Sequence, residues 1–329
     1  MALHPFAAAS SRGGFRVGRR RSPSQRQHPL PPSTVELSGP FVHDFVHLRG
    51  VRLHVVRAGR RTDPLLLLLH DAFGGWFDFA QAIAPLAERG WYVVAVDARG
   101  YGMSDKPPAD AGNALRIAVG DVTGLVRALG YDSAVLVGAD SFGAVAWTTA
   151  AAAPESVRAL VSISACFPTD LRRALVATPW RFAATWARLV ISRLPGIGYL
   201  PAGASNWLQK QIMRLWTGPD FRSSPDFARA LQLRQEAMRI SATTPAVSHF
   251  SRLVAAVVPA SWLRRKVSCP VVLIQPAQRR WQRLAQRARR RATGPFHVTG
   301  VPGTARLPHV EAPEAFAQLV DAQVRAHLS

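Results

Sequence analysis

The sequence predicts an α/β protein: a mostly parallel central sheet flanked by helices, with a helical cap inserted after the sixth strand. Three observations carry this. Short continuous apolar runs, of which LLLLL at Leu65–Leu69 is the clearest, read as strands buried on both faces of a sheet. Such runs alternate with helical-period segments from Phe41 to Ser164, which requires parallel strands joined by right-handed crossovers. The alternation lapses over residues 167–266 and resumes at Pro270.

In chain order, Asp44–Leu48 and Arg52–Ala58 read as a hairpin turning at Arg49-Gly50, followed by the strand Pro64–Leu69. A helix over Phe79–Arg89, a strand over Trp91–Val96, a helix over Ala118–Leu129 and a strand over Ala134–Val137 follow. A helix from Ser141 to Ala153 then leads into the strand Ala159–Ser164. After the insertion come a strand at Pro270–Ile274, a helix at Arg280–Arg291, a strand at Phe296–Val301 and a last helix from Pro313. The expected organisation is a disordered basic arm over 1–35, a core over 36–166 and 267–329, and a cap over 167–266. The arm is rich in Arg, Ser, Gly and Pro without apolar periodicity. Arg19-Arg20-Arg21 is not followed by the apolar stretch of a secretory signal.

The net charge of +21 is unevenly spread. Residues 1–35 carry +6, residues 36–165 carry −2, residues 166–268 carry +11 and the remainder +6. The basicity therefore avoids the segment with the best motifs. Only Lys106, Lys210 and Lys266 are lysines, an arginine bias that reflects nucleotide composition more readily than a nucleic-acid footprint, which needs clustering on one face. Nucleic acid is accordingly not expected as a partner. Two cysteines, Cys166 and Cys269, imply no disulfide framework and a reducing, cytoplasmic location. No apolar run approaches the roughly 18 residues that span a bilayer. Leu171–Leu194 places Leu175, Phe182, Trp186, Leu189 and Val190 near helical spacing with arginines between them. That pattern fits a lid helix packing on the core, or a basic, Trp-bearing helix resting at the inner membrane surface.

Four motifs carry chemistry: LLLLLHDAFGGWFDF (65–79), VDARGYGMSDKPP (96–108), VLVGADSFGAVAW (135–147) and VPGTARLPHVEAPEAF (301–316). Together and in this order they resemble the α/β-hydrolase superfamily, most closely its epoxide hydrolase and haloalkane dehalogenase branch, over about 41–165 and 268–329. The resemblance implies the α/β-hydrolase fold, a nucleophile on a sharp strand-to-helix turn, an oxyanion region at Ala72 and Ser141, and no cofactor or metal. Its ungapped register sets Asp140 at the nucleophile position but leaves Phe142 where the bend wants glycine. A shift of one residue makes Ser141 the nucleophile and satisfies both small positions. The two readings stand side by side.

The resemblance sets the proton-accepting histidine at Arg306, and arginine is effectively never deprotonated. His309, three residues on, matches a second, structural histidine of the family and is the other possible base. Gln278 stands where a carboxylate usually orients the histidine. Asp71 replaces a glycine beside the oxyanion loop, where a negative charge opposes stabilisation of developing negative charge. His70, Asp71, Phe73, Trp76, Phe142, Cys166, Trp186 and Tyr199 are expected to line the cleft. The function implied is that of a hydrolase by family whose triad chemistry is weak or lost. A non-catalytic binder of an apolar small molecule is one alternative. The other is an active hydrolase of small apolar epoxides, halides or esters using Asp140 or Ser141 with His309.

Overall fold

The computed structural model describes residues 29–108, 114–197 and 200–328. Eight strands form one sheet: β1 (Val42–Leu48), β2 (Val51–Ala58), β3 (Leu65–Leu69), β4 (Tyr92–Val96), β5 (Ala134–Ala139), β6 (Val157–Ile163), β7 (Val271–Ile274) and β8 (Phe296–Thr299). Their order is β1-β2-β4-β3-β5-β6-β7-β8, with β1, β2 and β4 paired antiparallel and every later neighbour pair parallel. The core helices are α1 (Ala80–Glu88), α2 (Ala114–Ala128) and α3 (Asp140–Ala152). Between β6 and β7 lie α4 (Pro168–Ala177), α5 (Ala183–Ile191), α6 (Ala202–Trp216), α7 (Pro219–Arg222), α8 (Pro225–Met238), α9 (Thr243–Phe250) and α10 (Ala260–Leu263). The chain closes with α11 (Arg279–Arg291), α12 (Pro308–Glu311) and α13 (Pro313–Leu328).

The apolar runs form two-sided strands because successive side chains point to opposite faces. Leu65, Leu67 and Leu69 join the core under α2 and α3, while Leu66 and Leu68 join the core under α1 and α13. Residues of β4 and β5 divide in the same way. From β3 the chain crosses to β4 on one side and, through α2, to β5 on the other. The carboxyl ends of β3 and β5 therefore flank a topological switch point, where crevices in open α/β sheets lie. The motifs at 70–73 and 138–143 meet there.

Two expectations are corrected. Residues 1–28 of the expected arm lie outside the described residues, but its last part is ordered. Leu30 bridges to Ile240, Pro32–Val35 form a 3-10 turn, and Val35 is fully buried, its carbonyl accepting from Trp76 Nε1 at 3.0 Å. Local composition could not reveal this, because the anchor is a tryptophan 41 residues away. The single helix read over Leu171–Leu194 is broken into α4, a 3-10 turn at Pro179–Phe182 and α5, since Pro179 disfavours helix at the residue before it. Leu175, Phe182 and Leu189 stay buried, but Trp186 and Val190 turn outward.

Candidate active site

The strand β5 runs straight into α3, and the bend falls on Asp140, whose φ of 47° lies in the left-handed region. Only a surrounding structure that over-determines the backbone holds a non-glycine residue there. Two glycines permit the bend. A Cβ on Gly138 would fall 2.9 Å from the Gly143 Cα, and one on Gly143 would fall 2.5 Å from the Ala165 Cβ. The tight approach is thus made at Gly143, and Phe142 is accommodated by turning away. It packs against His70, Tyr101 and Phe250 at ring-centroid distances of 5.0, 5.8 and 5.6 Å. Asp140 stands at the tip of the turn, and Ser141 follows it in the first turn of α3.

The buried Asp140 carboxylate is held by two arginines. Arg188 of α5 places Nη1 2.9 Å from Oδ1 and 2.7 Å from Oδ2, and its Nη2 donates to Ser141 Oγ at 2.6 Å. Arg306 Nη2 donates to Oδ1 at 3.2 Å, and Ser141 Oγ lies 3.3 Å from Oδ2. Arg306 is fixed from both sides. Its amide donates to the Trp216 carbonyl at 2.8 Å, and its guanidinium carbon lies 4.2 Å from the Trp216 ring centroid and 5.3 Å from that of Trp281. Glu311 braces the loop by accepting from the amides of Ala305, Leu307 and Gly218. Burial pulls the Arg306 guanidinium down to about 10; Asp140 opposes this, while Arg188 and Arg280 add repulsion.

Among the described residues no imidazole is bonded to Asp140. Among the described residues the ion-pair partners of Asp140 are Arg188 and Arg306. His309 is buried elsewhere, stacked on Phe79 at 4.4 Å with neither ring nitrogen hydrogen-bonded, and burial pushes its pKa down to about 3. His70 binds back into the loops: Nδ1 donates to the Asp71 carbonyl at 2.6 Å and Nε2 accepts from the Ala98 amide at 3.1 Å. Gln278 is exposed at the N-terminal end of α11. Cys166 is buried beside Asp140 in a small cavity, and burial raises its thiol pKa, so it stays protonated.

The Asp71 carboxylate is engaged by the cap and by its own loop. Its Oδ2 accepts from Arg234 Nη2 of α8 at 2.6 Å, and its Oδ1 from the Phe73 amide. Arg234 also donates to both oxygens of Asp78, at 3.1 and 2.9 Å, and all three side chains are buried. Burial would raise the Asp71 carboxyl, but Arg234 and the Phe73 amide outweigh it and hold it below the usual range. Burial pushes Asp78 up to about 7, with Asp71 adding to it and Arg234 opposing. Ala72 is buried, and its carbonyl accepts from Tyr101 Oη at 3.0 Å.

Above the elbow the cap encloses a cavity of about 320 Å³. Phe73, Ile191, Leu208, Leu215, Trp216 and Val247 contribute its apolar wall, and Arg188 and Arg306 form its floor toward Asp140. Of the described residues expected to line the cleft, Phe73 lines this cavity and Cys166 the smaller one, whereas His70 and Asp71 are buried in their loop, Phe142 is buried in the core, and two tryptophans lie elsewhere. Trp76 is wholly buried in the core on the α1 side of the sheet, and Trp186 is partly exposed on α5, its Nε1 donating to the Leu175 carbonyl. Tyr199 lies outside the described residues. No motif in the sequence points to Arg188, Trp216 or Trp281 as site residues. Arg188 sits between apolar cap positions, where helical spacing assigns it to water.

The alpha/beta hydrolase fold family model matches residues 64–194. Epoxide hydrolase B of Mycobacterium tuberculosis is 37% identical over 128 residues, which cover 38% of this chain and 36% of that protein. The AB hydrolase superfamily protein YfhM of Bacillus subtilis is 37% identical over 124 residues, covering 38% and 43%. These matches span less than half the length of each relative. Among solved structures, epoxide hydrolase A from Mycobacterium thermoresistibile superposes with a TM-score of 0.71 over 87% of this chain and 98% of that one, at 22% identity. Fold, family model and relatives agree that this chain has the α/β-hydrolase fold and, over the matched part, is similar to epoxide hydrolases.

Proposed function

We propose that this protein binds an apolar small molecule in the cavity between cap and core and does not turn it over by triad hydrolysis. The observation that carries this reading is the Arg306–Asp140 ion pair. Asp140 occupies the strained tip of the turn, the nucleophile's place in the family, with the amides of Ala72 and Ser141 as the oxyanion region. In such a cycle the carboxylate attacks carbon to form an ester, and a base then activates water to release it. Arg306 cannot accept the proton, His309 is stacked in the core, and Gln278 carries no charge to orient an imidazole. Both arginines also hold the attacking oxygens in ion pairs that attack would have to break. The test is a screen of epoxide, haloalkane and ester substrates with an Asp140→Ala/Ser141→Ala double variant as control, beside calorimetric titration with a neutral apolar ligand. Turnover abolished in the double variant overturns the reading.

A second reading concerns location. Among the described residues no helix is long and apolar enough to cross a membrane. Trp180 is 72% exposed and Trp207 62% exposed on the cap, and Arg181, Arg280, Arg283, Arg287 and Arg290 line one groove. Aromatic and cationic side chains so arranged fit peripheral contact with an anionic lipid surface. Co-sedimentation with anionic but not neutral vesicles, reversed by about 0.5 M salt, is the expected result. Equal binding to both vesicle types overturns the electrostatic contact.

A further inference from the structure

We propose that the cavity beneath the cap takes an apolar monocarboxylate, its head held between Arg306 and Arg188 and its chain lying along the apolar wall that includes Trp216. The proposal rests on the reading of this cavity as a ligand site.

Charge is the first argument. At the floor of the cavity two guanidinium groups face one carboxylate, Asp140, so one positive charge has no partner within the cluster. The described lining of the cavity includes Arg188 and Arg306 and neither Asp nor Glu. Charge taken from water without full compensation is costly, and a ligand bringing one negative charge removes that cost. A single unneutralised charge matches a monoanion better than a dianionic phosphate.

Hydrogen-bonding capacity is the second. Among the described residues the Arg306 side chain makes one hydrogen bond, to Asp140, and its Nε is buried without an acceptor. The Nε of Arg188 is likewise buried and unpaired. One bond to Asp140 leaves the other, unburied N–H groups of the Arg306 guanidinium open to an acceptor that a ligand would bring. The planar guanidinium matches a carboxylate fork to fork, and stacking on Trp216 already fixes the plane of Arg306. The depressed Arg306 pKa, caused first by burial, agrees with a cation short of counter-charge.

Size and polarity select the tail. A volume of about 320 Å³ equals on the order of ten waters at ~30 Å³ each, which suits a ligand of about ten to fifteen non-hydrogen atoms. Decanoate falls in this range, and its chain would meet Ile191, Leu208, Leu215 and Val247.

The full chain is titrated calorimetrically with decanoate and with decanol, which shares the tail and lacks the charge, at one ionic strength. Decanoate is expected to bind about tenfold or more tightly than decanol. That ratio should collapse toward one in Arg306→Leu and rise in Asp140→Asn, where a competing carboxylate is gone. Equal affinity for the two ligands overturns the head-group proposal and leaves the cavity reading standing. Binding of neither overturns the cavity reading itself. Should Arg306→Leu fail to fold, Asp140→Asn decides alone: a ratio that does not rise overturns the proposal.

Discussion

Arg306 Nη2 lies 3.2 Å from Asp140 Oδ1, so a cation bound to that carboxylate fills the position where the family resemblance sets a proton-accepting imidazole. The same contact shapes what substitution at this position can achieve. Arg306→His alone should add little hydrolysis. The new imidazole gains no carboxylate partner, because Gln278 is exposed at the start of α11, and Arg188 still holds Asp140. Adding Arg188→Leu should raise the rate further by freeing the carboxylate. Steady-state assays on the three proteins check this; robust turnover by the unmodified chain, lost in His309→Ala, would contradict it.

Removing the shared anion should cost folding stability. Asp140→Ala leaves Arg188 and Arg306 side by side without counter-charge, and breaking a buried pair in this way costs roughly 3–5 kcal/mol. Both side chains keep some solvent access, which places the effect at the lower end. Urea unfolding measures it. A loss below about 1 kcal/mol would mean that water already screens the cluster.

The link between cap and core should depend on Arg234. Arg234→Met strands the buried carboxylates of Asp71 and Asp78, at a cost of about 3–5 kcal/mol near pH 7. The deficit should shrink toward pH 5 as the stranded carboxyls take up protons. Unfolding curves at the two pH values separate this from a packing defect, whose cost would not change with pH.

Two buried groups give the native state opposite pH sensitivities. Asp78, near 7 against about 3.9 in the unfolded chain, binds its proton more tightly when folded, so its contribution to stability falls as pH rises from about 4 to 7. His309, near 3 against about 6.5, sheds its proton on folding, so stability is lost as pH falls from about 6.5 toward 3. Asp78→Asn should flatten the loss on the alkaline side and His309→Phe the loss on the acid side. Stability profiles between about pH 4 and 8 that match the parent's in both variants would rule this out.

Gly143→Ala tests the elbow. The added methyl would meet the Ala165 Cβ at 2.5 Å and the Gly138 carbonyl oxygen at 2.8 Å, contacts that neither backbone can yield cheaply. A destabilisation of about 1–3 kcal/mol is expected from such overpacking. Phe142→Gly should also destabilise, because it removes a ring packed on His70 and Phe250 and relieves no crowding at the bend.

The alternation of leucines in β3, the two glycines flanking Asp140 and the arginine at the histidine's place were legible in the sequence, because each is a matter of neighbours along the chain. Side-chain periodicity assigns a strand to two cores, and the steric demand of a bend falls on residues within three of its tip. Which of Asp140 and Ser141 stands at the tip of the turn required the backbone angle, since both registers satisfied part of the spacing. What occupies the site was decided by tertiary structure. Arg188 reaches Asp140 from 48 residues away, and Arg234 reaches Asp71 across 163 residues. Trp186 was expected in the cleft, whereas the fold brings Trp216 there and leaves Trp186 partly exposed beside the Leu175 carbonyl. Local chain geometry sets which element forms. Which charges meet depends on how the cap seats on the core, and there burial makes each ion pair or orphaned donor count for far more than its place in the chain suggests.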